Sequence, residues 1–223
     1  MKFAFIAQDN HLLSYLTVKE SLWFASRLKN RVYADHRMIV NNVINKLMIE
    51  SCAQNRPNKC SGGQLKRVSI ALELVSRPNI LILDEPTSGL DSVTTRQLID
   101  LLIDLTQAAE PIAILLTIHQ PSARLFNLFD IIYLLSYDGQ CIYSGPPFKI
   151  VDYLKEHDLE CPQFSNPSDF ALEVAAKEYG RKKVMLLATL MKMEALDLEE
   201  SKYKIKFIQQ NNTMSQIWLL TVR

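Results

Sequence analysis

The stretch LILDEPTSGLD, residues 81–91, decides the fold. With Ile80 it opens as an unbroken apolar run and stops abruptly at two carboxylates, Asp84 and Glu85. An apolar run of strand length without alternation is the pattern of a parallel strand covered on both faces. In open α/β sheets, ligands collect at the carboxyl ends of such strands. A carboxylate at Asp84 can hold magnesium directly or through water, and Glu85 beside it can orient or deprotonate an attacking water. The same pair can simply cap the turn before Pro86, so its meaning depends on its surroundings.

Upstream stands SGGQ, residues 61–64. Ser61 is a helix cap, and Leu65, Val68, Leu72 and Val75 follow at i, i+3, i+7 and i+10, with Lys66, Arg67 and Glu73 off that face. Adjacent Gly62 and Gly63 let a backbone approach a ligand closely, and the positive helix end with its free N–H groups favours phosphate oxygens. Downstream, a helix over 92–108 leads to a strand, IAILLTI (112–118), and then to His119, placed beyond the strand end to hydrogen-bond a terminal phosphate. A helix after HQPSA, a strand DIIYLLS (130–136), a turn at Asp138-Gly139 and a strand QCIYS (140–144) complete the alternation. That order predicts an α/β fold with a mainly parallel sheet.

The flanks are read the same way. KFAFIA (2–7) is a short buried strand. Thr17 followed by Glu20 is a capping-box pattern for a helix over 18–29. A second helix spans 35–49 on a stripe of Met38, Val43, Leu47 and Ile49, and Ser168 caps a helix running to Lys177. Beyond residue 180 the sequence is charged and mixed, a linker with one or two helices.

Composition narrows the function classes. A chain of 223 residues, 48% hydrophobic and 22% charged, buries a real core. Its net charge of +1 gives no general attraction to nucleic acid or acidic lipid. Cys52, Cys60, Cys141 and Cys161 form no C-x-x-C pair, the pattern of reduced thiols in a cytosolic setting, with Cys60 as a small packing residue. The longest apolar stretches fall far short of the ~20 residues of a membrane span. His11, His36 and His157 have no matching partners in sequence and read as solvated surface groups.

The block CSGGQLKRVSIALELVSRPNILILDEPTSGLDS closely resembles the nucleotide-binding domain of ABC transporters, and the likeness extends from residue 3 to about 180. TIHQPSARLFNLFD, GQCIYSG and NPSDFALEVAAKEYG resemble its G subfamily, the white and sterol half-transporters. The resemblance implies a partial ABC-type ATPase domain with a helical signature subdomain, using ATP and Mg2+. By likeness, Ser61, Gly62, Gly63 and Gln64 are the signature motif, and Asp84 ends the Walker B strand as a metal ligand. Glu85 is the catalytic base, Ser88 to Asp91 the D-loop with Asp91 at the nucleotide, and His119 the switch histidine. Gln8, in FIAQDNHLL, matches the Q-loop glutamine that contacts magnesium. Leu65 departs from the arginine often found after SGGE or SGGQ.

Three regions are expected: 1–60 with the Q-loop strand and helical subdomain, 61–180 with the signature-to-histidine part of the core, and 181–223 as linker. The last eleven residues, TMSQIWLLTVR, resemble the amphipathic connecting helix before a first membrane span. The implied partners are a second ABC nucleotide-binding domain and a membrane domain, on the cytoplasmic face of a membrane. A soluble ABC-type ATPase of DNA repair or translation fits less well, since no basic surface is evident.

One element has no counterpart. A phosphate loop, G-x-x-x-x-G-K-S/T, needs two glycines five positions apart. None of Gly62, Gly63, Gly89, Gly139, Gly145 and Gly180 are so spaced. The sequence reads as a piece cut at both ends: by itself a weak ATP binder, isolated in the cytoplasm, or a non-enzymatic fragment that pairs with intact subunits and regulates them.

Overall fold

Strand β1 (Phe3–Ile6) and strand β2 (Ile80–Leu83) lie parallel, with Phe3 opposite Ile80 and Ile6 opposite Leu83. The computed structural model describes residues 2–9, 12–31, 33–201 and 217–221. It divides into two compact units, Met1–Ile114 and Leu115–Arg223. In the first, Ala4, Ile6, Leu81 and Leu83 are buried, whereas Phe3 and Phe5 are 74% and 55% exposed. The first strand is therefore buried on one face only, because successive side chains point to opposite faces and only Ala4 and Ile6 turn inward.

Helix α1 (Val18–Lys29) begins with the expected capping box: the Glu20 N–H donates to Thr17 Oγ1 and the Thr17 N–H donates to Glu20 Oε2. Helix α2 (His36–Lys46), capped by Asp35, is shorter than its sequence stripe. Met48 adopts a left-handed φ of 51°, which a helix cannot contain, and a single 3-10 turn at Glu50–Cys52 follows. Met38 points outward, and Ile39, Val40, Val43 and Ile44 form the buried face.

Helix α3 (Gly62–Leu74) also departs from its expected face. Val68 and Val75 are buried, but Leu65 and Leu72 are only half-buried, and Lys66 is inside at 3% exposure. The buried set centres on Ile70, Ala71 and Leu74. Asn30 Nδ2 donates to the Val75 carbonyl at 2.8 Å, tying the end of α1 to the end of α3. Helix α4 (Ser92–Thr106) completes this unit, burying Leu98, Ile99, Leu102 and Leu105.

The second unit is built on strand β3 (Ala113–Ile118), whose first residues belong to the first unit, with strands β4 (Ile131–Leu135), β5 (Cys141–Gly145) and β6 (Ile217–Thr221). The order is β3-β6-β4-β5, with β6 parallel to both neighbours and β4–β5 an antiparallel hairpin. A mainly parallel sheet is thus confirmed. Ile217–Thr221 is a strand, not part of a connecting helix, because it pairs in parallel with β3 on one side and β4 on the other. The rest of the expected connecting helix, and His11, lie outside the described residues.

Helix α5 (Ala123–Phe126) is a single turn after HQPSA. Helix α6 (Ile150–Glu156) follows a 3-10 turn and has no counterpart in the sequence reading. Helix α7 (Pro167–Ala175) is capped by Asn166, not Ser168; Ser168 is fully buried and its hydroxyl donates to the Pro121 carbonyl at 2.9 Å. Pro167 explains the shift, since proline favours the first helical position and moves the cap one residue before it. Helix α8 (Arg181–Ser201) buries Val184, Leu187 and Ala188, so the expected linker starts as a packed helix.

Candidate functional site

The register of β1 and β2 assembles the acidic end of the site. Ile6 stands opposite Leu83, so two residues further on Gln8 is level with Glu85. The Asp84 N–H donates to the Ile6 carbonyl at 2.9 Å, which carries the pairing one step beyond the strands. Gln8 Nε2 then donates to Glu85 Oε2 at 3.0 Å and reaches Ser88 Oγ at 3.4 Å. Glu85 is 8% exposed and holds φ at +43°, a left-handed conformation that an ordinary side chain adopts only when its surroundings enforce it. The bend turns the chain sharply after the strand and sends Pro86 to Leu90 back past Gln8.

The signature stretch closes the other side. Ser61 Oγ accepts from the Gln64 N–H at 3.3 Å, while the Ser61 N–H donates to Gln64 Oε1 at 2.9 Å, a reciprocal capping box. The two glycines differ in role. A Cβ on Gly63 would collide with Thr94 Cγ2, so that glycine permits the close approach of α4 to α3. A Cβ on Gly62 would meet only Leu90 Cδ2 at 3.6 Å, an ordinary contact. Gly62 is exposed and has room beside it. It lines a cavity of about 240 Å³ with Gln8, Asp9, Lys66, Ser88, Gly89 and Leu90.

Asp91 caps α4. Its Oδ1 accepts from the N–H groups of Val93 and Thr94 at 3.0 Å each, and its Oδ2 accepts from Thr94 Oγ1 at 2.6 Å. The Thr94 hydroxyl and amide hold its carboxyl below the usual carboxylate range. Lys66 is the group that sequence reasoning placed on the wrong side. Its ammonium donates to the Gln8 carbonyl at 2.7 Å. Burial lowers its pKa, while the nearby Asp9 and Asp84 carboxylates oppose that shift. No apolar periodicity signals an inward lysine, and its partners Gln8 and Asp84 are distant in sequence.

The cluster in the first unit thus joins Gln8, Glu85, Ser88, Gly62 and Lys66. His119 belongs to the second unit, exposed after β3, where it lines a cavity of about 510 Å³ with Gln120, Asp169 and Glu173 among others. Gln120 follows it at φ +48°, the same kind of bend that follows Asp84. Of the other histidines, His36 Nδ1 lies 3.0 Å from Ser26 Oγ and His157 stacks edge-on against Tyr153, so neither is merely solvated. Cys52 is fully buried, which pushes its thiol up to about 11; Cys60 is half-buried, and all four cysteines are free.

Among the described residues, no three histidine, cysteine or carboxylate groups converge to hold an ion by themselves. The oxygens of Asp84 and Gln8 nevertheless suit magnesium, which takes one or two carboxylates and completes its shell with water and substrate phosphates. The residues fit such an ion and not an all-protein cage.

Comparison with known proteins speaks to the family of the chain. Residues 1–88 match the family model described as ABC transporter, and residues 119–194 match one described as ABC-2 type transporter. ATP-binding cassette sub-family G member 8 of Homo sapiens is 35% identical over 219 residues, covering 90% of this chain and 32% of that protein. Protein white of Drosophila melanogaster is 36% identical over 187 residues, 80% of this chain and 27% of its own length. ABC transporter G family member 11 of Arabidopsis thaliana is 33% identical over 203 residues, 87% and 28% respectively. The chain therefore spans under a third of the length of these relatives. Among the described residues, no helix is long and apolar enough to cross a membrane.

Proposed function

The chain belongs to the ABC transporter family, with G-subfamily relatives, and on that premise we propose that it is the signature-bearing part of an ATP-driven transporter's nucleotide site. The observation that carries this reading is the cluster at the ends of β1, β2 and α3. It unites a buried carboxylate, an amide that orients it and a glycine-faced cavity at a helix N-terminus.

The division of labour follows from the residues. Asp84 and Gln8 would supply oxygen to Mg2+, which when bound neutralises phosphate charge. Glu85, held by Gln8, accepts a proton from an attacking water. Gly62 and the free N–H groups at the start of α3 receive phosphate oxygens, and the capping box keeps Ser61 and Gln64 from blocking them. His119, in the second unit, is proposed as a phosphate-binding histidine on its motif likeness alone. No G-x-x-x-x-G-K-S/T run is present in the 223 residues to cradle the β- and γ-phosphates. In this proposal the glycine-faced cavity works in trans, facing the phosphate loop of a second ATPase domain. A membrane domain, association with the cytoplasmic membrane face and a lipid, sterol or pigment cargo complete the proposal.

The test is ATP-dependent pairing. Sedimentation of this chain with a complete G-subfamily ATPase domain, hydrolysis-deficient to trap the complex, is expected to show a heterodimer with ATP and separate species without it. Gly62→Trp, which fills the cavity mouth, is expected to abolish the pairing. Identical sedimentation with and without ATP overturns the proposal.

A further inference from the structure

A buried lysine needs a reason. Replacing a buried charged group by an apolar side chain of similar volume is often neutral or stabilising, because burying charge is costly. Methionine at position 66 would fill the same space without that cost, so packing does not explain Lys66. Its one strong, geometrically placed contact does: the ammonium reaches out of α3 to the main-chain carbonyl of Gln8. Gln8 lies just past the paired end of β1, in a short segment beyond the ladder. The side chain of that same residue is the donor to Glu85 Oε2 and Ser88 Oγ.

We propose that Lys66 is a positioning residue that pins the Gln8 main chain to α3, so that the Gln8 amide is held on the Glu85 carboxylate. A continuous series of contacts then runs from the start of α3, which faces the cavity, through Lys66 and Gln8 to Glu85. Lys66 also lines the cavity, but its hydrogen bond goes to Gln8, and it is through Gln8 that it acts on Glu85. The consequence for hydrolysis rests on the shared-site reading above, but the pinning itself does not.

The experiment therefore uses no nucleotide. The Gln8 side-chain amide of the full chain is followed by NMR, assigned by the loss of its resonances in Gln8→Asn. In Lys66→Met the two amide protons are expected to move toward solvent-exposed shifts, and their exchange with water to accelerate about tenfold or more, the effect of losing one charge-assisted hydrogen bond. Lys66→Arg, which keeps the charge and donors, is expected to restore them in part, and Glu85→Gln to shift them in wild-type and Lys66→Arg backgrounds alike. Where Lys66→Met does not fold, Lys66→Gln takes its place with the same expected direction. A folded Lys66→Met or Lys66→Gln protein with unchanged Gln8 shifts and exchange overturns the positioning role. That result leaves ATP-dependent pairing standing, and loss of pairing with intact Gln8 shifts sinks only the shared site.

Discussion

Two adjacent glycines with the same sequence signal have opposite obligations. Gly63 has Thr94 against it and Gly62 has room, so Gly63→Ala is expected to destabilise the fold by about 1–3 kcal/mol through overpacking. Gly62→Ala is expected to stay within about 1 kcal/mol of wild type. Denaturant unfolding of the two variants separates them. Asp91 makes a pH-dependent prediction. Its folded pKa is depressed, so its charge stabilises the fold above the unfolded value, near 3.9, and that contribution is lost as pH falls through the lower, folded value. Asp91→Asn keeps an acceptor for the α4 amides but has no titrating charge. Thermal melts from about pH 7 to about pH 3 are expected to show wild type losing its advantage over the variant at the acid end. A constant difference across that range would remove the carboxylate's charge from the account.

At the scale of elements, the sequence was most readable where a local signal and burial agree. The Thr17–Glu20 and Ser61 caps needed only neighbouring residues, and β2 declared itself by four apolar positions ending at charge. Elements were misread where the deciding partner is distant. Lys66 looks outward by periodicity and turns inward because Gln8, 58 residues away, offers it a carbonyl. Asn166 took the cap because Pro167 fixes the first helical residue, leaving Ser168 to Pro121. IWLLT has no local mark that separates a helix turn from a strand; its state is decided by open hydrogen-bonding edges on β3 and β4. That dependence is testable. Leu219→Pro removes a ladder donor from a strand paired on both sides, and about 3 kcal/mol or more of stability is expected to be lost. An unfolding midpoint unchanged by Leu219→Pro would show that β6 contributes nothing to the second unit.

For the whole molecule, the α/β class and the acidic end of the site were legible because both follow from strand endings, which sequence marks with charge. The separate duties of Gly62 and Gly63, and the Lys66–Gln8–Glu85 series, were not, since they depend on which helix packs where. The central claim is that these residues supply one face of a nucleotide site, set against a phosphate cradle that is not among the 223 residues. Equilibrium ATP binding, measured for the chain alone, for a complete G-subfamily ATPase domain alone and for the two together, tests it most directly. The account predicts negligible affinity for the chain alone and a tightening of about tenfold or more for the mixture over the complete domain. Firm ATP binding by the chain alone, or a mixture that binds no better than the complete domain, would contradict it.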